Sequence, residues 1–366
     1  MIKQLKNLLR VKYSNDKPLL ENEELYNSWD DEHSLKVISQ LPKKAIGPLL
    51  ISEAAEAAGA TVTWYTRFVF KAEIENVSLV FWDARCNYSS VGAKIATKKN
   101  YAIKFMKDAR VPVAESKVAK TCEQAVEAYR ALGSPVVVKP LSGTKGRGVS
   151  LNLTSEIEVR DAYKKINTTK GVMVESMVVG EEYRFLVIGN EVVAVLAKDP
   201  PNVIGDGRSS IRELVDRKNK IRESNPRLST CPIKLDSICI SYLLKSGFTI
   251  DSVPEFDRKI YLRREGNVAV GADTKDVTDE VSDAAKRIAV NAVASLPGLD
   301  WAGVDIILTK DDKINNHTVA YVIEVNTNPG LGGHHYPMLG KGRNVAKMIW
   351  EKAYSKQALL VRHGYR

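Results

Sequence analysis

Three oxygen-bearing side chains near the end of the sequence have types and a spacing suited to a divalent metal. Asp305 lies in the apolar run 303–308, and Glu324 and Asn326 lie two residues apart in the run 321–330. Because side chains alternate across a strand, Glu324 and Asn326 should share one face, and Asp305 can join them if the two strands pair. Two carboxylates and one amide oxygen are hard ligands that suit Mg²⁺. The alternative is that both acids are exposed residues at a sheet edge.

A glycine-rich basic loop earlier in the chain has the composition of a phosphate-binding loop. It follows Lys139, the end of a β-branched run, and places Lys145 and Arg147 among the glycines Gly143, Gly146 and Gly148. The glycines let backbone N–H groups approach a polyanion, and the two cations neutralise it. The spacing matches neither the Walker motif nor the dinucleotide motif. A flexible hairpin tip is the alternative interpretation.

Periodicity predicts the elements that must position these residues. Residues 61–65 and 77–82 are predicted as strands, and residues 48–59 and 99–110 as helices. The polar run 310–318 is predicted as a hairpin loop between the two acid-bearing strands. The alternation of strand and helix favours a small α/β lobe that ends near residue 95.

The order of these motifs resembles that of the ATP-grasp superfamily, and in particular the ATP-grasp domains of cyanophycin synthetases and bifunctional glutathione synthetases. The resemblance covers roughly residues 95–340. Its matches are the segments 180–187 (GEEYRFLV), 203–216 (VIGDGRSSIRELVD), 251–254 (DSVP), 261–267 (YLRREGN), 276–281 (DVTDEV) and 328–330 (NPG).

The resemblance implies an α/β (α+β) ATP-grasp fold, with two lobes that clasp ATP and a small α/β domain before them. The expected N-terminal domain is 1–95. The expected small lobe, with the glycine-rich lid, is 96–190. The expected large lobe, with the metal site and a basic C-terminal helix, is 191–366.

The resemblance also implies the nucleotide contacts. Lys139 should contact the α and β phosphates, and Lys99 matches the first ATP lysine, although the usual Asp-Lys pair reads Lys98-Lys99 here and either lysine could serve. Backbone groups around Glu175 and Met177 should read the adenine edge. The remaining expected contacts are Glu182 to the ribose, and Ser142, Gly143, Lys145, Gly146 and Gly148 in the loop.

Arg263 and Asn267 match the family pattern L-R-x-x-x-N, whose residues contact the transferred phosphate and the acyl group. Arg184 is expected nearby, and Arg264 is the alternative to Arg263 on the opposite face of the strand. The family commonly has Gly-Gly after this motif, whereas this chain has Gly271-Ala272. Two further candidates for substrate contact are His335, with a structural role as its alternative, and Lys198.

The activity that the resemblance implies is an ATP-dependent carboxylate–amine ligase that works through an acyl phosphate. ATP and two Mg²⁺ are the expected cofactors, with Mn²⁺ left open, and an amino acid or peptide is the expected substrate. A homo-oligomer is left open. The first alternative is a modifier of a protein or nucleic-acid-linked acceptor docked on a basic surface. The second is a non-catalytic nucleotide-binding module.

Composition agrees with a cytoplasmic enzyme. The chain has 366 residues and a formal net charge of +10, and no apolar run approaches the roughly 18 residues of a membrane span. Its four cysteines lack metal-site spacing and are expected to be free thiols. The segment 341–366 carries seven Lys or Arg against Glu351 alone. It could dock an anionic partner, or it could be a solvated cationic helix.

Overall fold

The computed structural model describes residues 29, 31–86, 90–141, 148–166, 170–264, 266–309 and 319–364. These residues form two compact units. The smaller unit contains Lys198–Lys275, Tyr336–Lys341 and the described part of Met1–Ile38, and the larger unit contains Ser39–Ala197, Asp276–His335 and Gly342–Arg366. The loop residues Ser142, Gly143, Lys145, Gly146 and Arg147 and the predicted hairpin loop 310–318 lie outside the described residues. The three-domain division stays a prediction.

The helices are α1 (Glu32–Gln40), α2 (Ile46–Ala57), α3 (Ser90–Ala96), α4 (Lys99–Asp108), α5 (Cys122–Leu132), α6 (Glu156–Ile166), α7 (Ile211–Glu223), α8 (Ser237–Lys245), α9 (Asp283–Ala294), α10 (Gly332–His335) and α11 (Val345–Arg362). The strands are β1 (Thr61–Thr66), β2 (Val69–Ile74), β3 (Val77–Trp82), β4 (Arg85–Cys86), β5 (Ser116–Ala119), β6 (Val136–Pro140), β7 (Ser150–Leu153), β8 (Val172–Ser176), β9 (Glu181–Ile188), β10 (Glu191–Asp199), β11 (Asn202–Ile204), β12 (Lys259–Tyr261), β13 (Asp273–Asp276), β14 (Trp301–Thr309) and β15 (Val319–Asn326).

The N-terminal part of the larger unit is an antiparallel meander in the order β1-β2-β3-β4, against which α2 and α11 pack. Every second residue of β3 is buried, and the ring of Phe81 stacks on Phe70 at 5.0 Å between centroids. The predicted helices and both predicted strands are confirmed. However, β2 is missing from the prediction because Lys71 and Glu73 interrupt its apolar pattern. This lobe is therefore a helix-covered meander rather than an alternation of strands and helices.

A second sheet, in the order β5-β8-β6-β7, carries the predicted phosphate lysine. Val136, Val138, Val172 and Val174 are buried in one apolar cluster, to which helices α5 and α6 contribute Val126 and Val159 among others. Burial of this β-branched run fixes the path of β6, so Lys139 is held at the end of a rigid strand.

A third sheet places the acid-bearing strands side by side. Strands β10, β9, β14 and β15 follow one another, and each neighbouring pair is antiparallel. Asp305 of β14 lies opposite Glu324 of β15 and, on the other side, opposite Arg184 of β9. The predicted pairing of the two strands is confirmed, and the register is set by buried β14 residues such as Val304 and Ile306.

The smaller unit is held around a buried ion cluster. Asp273 accepts from Lys218 Nζ at 2.5 Å and from Arg222 Nη1 at 2.7 Å, and all three side chains are at most 7% exposed. Burial lowers the pKa of Lys218 and of Arg222, although the charge of Asp273 opposes this shift. Arg222 also donates to the carbonyl of Cys231. The cluster thus ties α7 to neighbouring backbone and to β13.

Candidate nucleotide and metal site

The three predicted metal ligands meet on one side of the β14–β15 pair. Asp305 and Glu324 are register partners, and Asn326 Nδ2 lies 3.3 Å from Asp305 Oδ2. Asp305 is buried at 8% exposure, whereas Glu324 and Asn326 are half-buried. The alternation expected from the sequence therefore brings two carboxylates and a carboxamide together. Their role as ligands stays a prediction.

Arg184 binds Asp305 through two hydrogen bonds. Its Nε lies 2.5 Å from Oδ1 and its Nη2 lies 2.8 Å from Oδ2. Burial opposes the charge of Arg184, but the charge and hydrogen bonds of Asp305 outweigh burial and raise the pKa of Arg184. A Cβ on Gly303 would lie 3.1 Å from Arg184 Cδ. This glycine therefore leaves space for the arginine side chain to lie over β14 and reach Asp305.

Lys99 reaches the same sheet from helix α4. Its Nζ lies 2.9 Å from Glu324 Oε1, and the lysine side chain is 15% exposed. Lys98 is the residue before the first turn of the helix and has an extended backbone. The structure therefore brings Lys99 to the predicted metal site, and no ion pair of Lys98 occurs among the described residues.

Lys139 is anchored by a buried carboxylate. Its Nζ lies 2.6 Å from Glu175 Oε2, and both side chains are at most 8% exposed. The N–H of Met177 donates to the carbonyl of Pro135, and that of Ser176 donates to Glu115. Contacts of this segment with an adenine edge would therefore need groups other than these two amides.

Glu182 lies on β9 opposite Ile307 and is exposed. Gly180 precedes this strand, and a Cβ there would lie 2.3 Å from the carbonyl oxygen of Leu308. Only glycine permits this close approach of two backbones. Gly148, the described member of the predicted phosphate loop, has a φ of 75°, which also favours glycine.

Two adjacent histidines follow the acid-bearing hairpin and have different environments. The Nε2 of His335, the predicted substrate contact, accepts from the N–H of Ala346 at 3.0 Å and so supports the start of α11. His334 is 1% exposed, and neither of its ring nitrogens has a hydrogen-bond partner among the described residues. Burial and the nearby charges of Arg184, His335 and Arg343 lower the pKa of His334 to about 3. His334 is therefore neutral, and no local sequence pattern separates the two histidines.

The remaining predicted residues lie in the smaller unit. Arg263 is 6% exposed and donates to Asp236, which also accepts from the N–H of Cys239 and so begins α8. Asn267 is exposed and accepts from the N–H of Ala269. Lys198 is half-buried near the end of β10. These roles stay predictions.

The departure from the family's Gly-Gly pair is at the second position only. Gly271 has a φ of 102°, and a Cβ there would lie 2.7 Å from Ile233. The glycine that the backbone requires is therefore present, and Ala272 occupies a buried position whose carbonyl accepts from Arg222.

A groove of about 330 Å³ runs along one face of α8 beside Arg263. Its polar lining consists of Ser237, Ser241, Tyr242, Lys245, Arg263 and Arg264. No acid within the described ranges forms an ion pair with Lys245 or Arg264, whereas Arg263 is held by Asp236. The groove is therefore a cationic surface with hydroxyl donors.

Several Lys and Arg side chains of the basic C-terminal segment form ion pairs with acids. Arg343 binds Asp276 at 2.9 Å and Asp279 at 2.7 Å, and Lys356 binds Asp300 at 2.5 Å. These pairs favour the solvated-helix interpretation for part of the segment. A dock for an anionic partner stays a prediction. No helix among the described residues is long and apolar enough to cross a membrane.

The donor set suits magnesium, if other oxygens complete its shell. No group of three or more His, Cys, Asp or Glu side chains capable of holding a metal occurs in the part of the chain that the structure describes. Asp305, Glu324 and Asn326 supply hard oxygen atoms, and Mg²⁺ usually takes few protein ligands and keeps phosphate or water oxygens. The residues present therefore fit a nucleotide-bound Mg²⁺.

Comparison with known proteins finds matches to ATP-grasp proteins. A model described as "ATP-grasp domain" matches residues 94–200. Glutathione biosynthesis bifunctional protein GshAB of Enterococcus faecalis is 37% identical over 242 residues, which are 63% of this chain and 32% of that protein. Cyanophycin synthetase of Trichormus variabilis is 32% identical over 272 residues, which are 73% of this chain and 30% of that protein. The chain thus spans about a third of the length of these curated relatives.

A solved structure with a similar fold supports these sequence matches. The crystal structure of a bifunctional glutathione synthetase from Pasteurella multocida matches with a TM-score of 0.67 and 26% identity, over 86% of this chain and 44% of that one. With the lysine-tipped strand and the acid-bearing hairpin, this match defines a protein of mixed helix and sheet. Residues 94–200 match an ATP-grasp domain, and the chain has the ATP-grasp fold.

Proposed function

We propose that the chain is an ATP-dependent carboxylate–amine ligase. The observation that carries the proposal is the pairing of candidate phosphate-binding cations with candidate metal-binding acids in the larger unit. Lys99 lies against Glu324, and Arg184 lies against Asp305. ATP and its metal need cations and acids at one place, and this region of the sheet supplies both.

The proposed reaction has two steps. A carboxylate oxygen of the substrate attacks the γ-phosphorus of ATP, and ADP leaves. An amine then attacks the acyl carbon of the acyl phosphate, phosphate leaves, and the amine loses a proton. Phosphoryl transfer depends mainly on positioning and on neutralisation of charge. In this chain Lys139, held by Glu175, is a fixed cation for the phosphates.

Asp305, Glu324 and Asn326 are the residues that would hold Mg²⁺, and two ions are proposed. The metal supplies neutralisation of the phosphate oxygens. Lys99 and Arg184 exchange their carboxylate partners for phosphate oxygens when the nucleotide binds. Their partial exposure, 15% and 21%, is consistent with such an exchange.

The groove along α8 is proposed to hold the carboxylate-bearing substrate, an amino acid or a short peptide. Arg263 keeps donors in addition to the one that binds Asp236, because a guanidinium has five N–H groups. Lys245 and Arg264 add positive charge beside it. Lys245→Gln should raise the KM for the carboxylate substrate several-fold and leave the KM for ATP unchanged, whereas Lys220→Gln on the exposed side of α7 should change neither.

The test of the proposed function is ADP release by the purified chain with pools of amino acids and dipeptides. We expect release to require Mg²⁺, a carboxylate substrate and an amine. Hydroxylamine in place of the amine should trap the acyl phosphate as a hydroxamate, which a colour reaction with iron detects. Nucleotide binding without ADP release in any pool would favour the non-catalytic module instead.

A further inference from the structure

The carboxamide of Asn328 joins the loop after β15 to the turn between β3 and β4. Its Oδ1 accepts from the N–H of Ala84 at 3.1 Å, and its Nδ2 donates to Asp83 Oδ2 at 3.0 Å. Asn328 follows the candidate metal ligand Asn326 by two residues, but it is 245 residues from Asp83. Both polar atoms of one carboxamide therefore bind a turn that is distant in the sequence.

The turn itself is fixed from several sides. Asp83 has a φ of 53°, and its N–H donates to the carbonyl of Phe68 at 2.8 Å. Ala84 is 1% exposed, and its carbonyl accepts from Trp301 Nε1 at 2.6 Å. Trp301 is the first residue of β14, the strand that carries Asp305. Ala84 thus contacts the loop after β15 through its N–H and the first residue of β14 through its carbonyl.

Asn326 is the last residue of β15, and the loop that carries Asn328 follows it directly. The contact of its side chain with Asp305 is long at 3.3 Å, so that contact alone fixes it weakly. The residues on either side of Asn328 are buried, with Thr327 at 7% exposure and Pro329 packed near Gly303. A shift at Asn328 would therefore be transmitted to the end of β15.

We infer that Asn328 is a positioning residue for Asn326, and that the Asp83–Ala84 turn of the N-terminal lobe supports the proposed metal site through it. The inference rests on the proposed function, because it needs Asn326 to be a ligand. Asparagine is the suitable residue, since one planar group must accept from an N–H and donate to a carboxylate. Aspartate would accept from Ala84 but would place a second carboxylate against Asp83.

The test is a pair of substitutions read by metal binding. Mn²⁺ bound in the presence of ADP is titrated by electron paramagnetic resonance, a readout independent of turnover. Asn328→Asp should weaken Mn²⁺ binding about tenfold, the lower end of the range for residues that orient metal ligands. Asp83→Asn should have a smaller effect, because its carbonyl oxygen can still accept. The double variant should recover affinity to within about twofold, since the amide introduced at position 83 can donate to the carboxylate introduced at position 328.

Controls separate this inference from the proposed function. Asn190→Asp, in the exposed turn between β9 and β10, makes the same charge change and should leave Mn²⁺ binding unaltered. Asn326→Ala should weaken binding strongly, and unchanged binding there would remove the metal assignment and the inference with it. If Asn326→Ala weakens binding but Asn328→Asp does not, or if the double variant shows no recovery, the inference alone is wrong. Asn328→Ala removes both hydrogen bonds without adding charge and decides the matter if the Asp variant does not fold.

Discussion

Two clusters of opposite charges in this chain have different physical roles. In the smaller unit, Asp273 binds Lys218 and Arg222, and the three side chains are almost fully buried. In the larger unit, the pairs Arg184–Asp305 and Lys99–Glu324 keep 11–33% of each side chain exposed. Charge pairing alone therefore does not identify a functional site. Access for a replacement partner distinguishes the second cluster from the first.

The hydrogen-bonding partners of the two clusters also differ. Arg222 and Lys218 donate to backbone carbonyls of Cys231, Ala272 and Asn202 as well as to Asp273. Such a network satisfies the donors within the protein, and removal of one member leaves a buried charge without compensation. The side-chain hydrogen bonds that Arg184 makes within the described residues go to Asp305 alone, so the exchange proposed above would break fewer contacts. Substitutions in the two clusters should therefore affect different properties of the protein.

The largest expected effect is on activity, at the partly exposed cluster. Asp305→Asn combined with Glu324→Gln should lower Mg²⁺-dependent ADP formation about 10³-fold or more, because both proposed carboxylate ligands of the metal are lost. The free energy of unfolding in urea should change little in comparison. Retained ADP formation in the double variant would contradict the metal assignment.

The next effect is on stability, at the buried cluster. Asp273→Asn should lower the free energy of unfolding by about 3–5 kcal/mol, because Lys218 and Arg222 would remain buried without a counter-charge. Urea unfolding followed by circular dichroism measures the change. Asp216→Asn, at an exposed position of α7, should change stability by less than about 0.5 kcal/mol. Equal effects of the two substitutions would show that the buried cluster contributes no more to the free energy of unfolding than an exposed residue does.

The sequence predicts the contacts that follow from local patterns within strands, but not the contacts between residues that are far apart in the chain. Alternation along a strand is enough to place Glu324 and Asn326 together, and apolar runs are enough to pair β14 with β15. The Lys99–Glu324 pair depends on how α4 packs against the sheet, which no local pattern encodes. The same holds for Asn328, whose partner Ala84 lies in a turn of another lobe. A strand such as β2, with charges on its exposed face, also escapes a search for apolar runs.

A third prediction concerns pH and the buried His334 near the larger-unit cluster. Its folded pKa of about 3 lies below the ordinary 6.5, so the unfolded chain binds the proton more tightly. The stability contribution is thus fully present above pH 6.5 and is lost as the pH falls toward 3, by at most about 1.4 kcal/mol per pH unit. His334→Gln should remove this part of the slope in urea unfolding at pH 7, 6, 5 and 4. His363→Gln, at an exposed position, should retain the wild-type slope, and a wild-type slope in His334→Gln would contradict the assignment.

The smallest expected effect on the free energy of unfolding is at an exposed ion pair. Lys356 of α11 lies 2.5 Å from Asp300, with the two side chains 45% and 20% exposed. Exposed pairs contribute little, so Lys356→Gln should lower the free energy of unfolding by about 0.2–1 kcal/mol at low salt. The difference should vanish near 1 M salt because the charges are then screened. ADP release should remain at the wild-type rate. A salt-dependent loss of ADP release in Lys356→Gln would instead favour the alternative in which the basic segment docks an anionic acceptor.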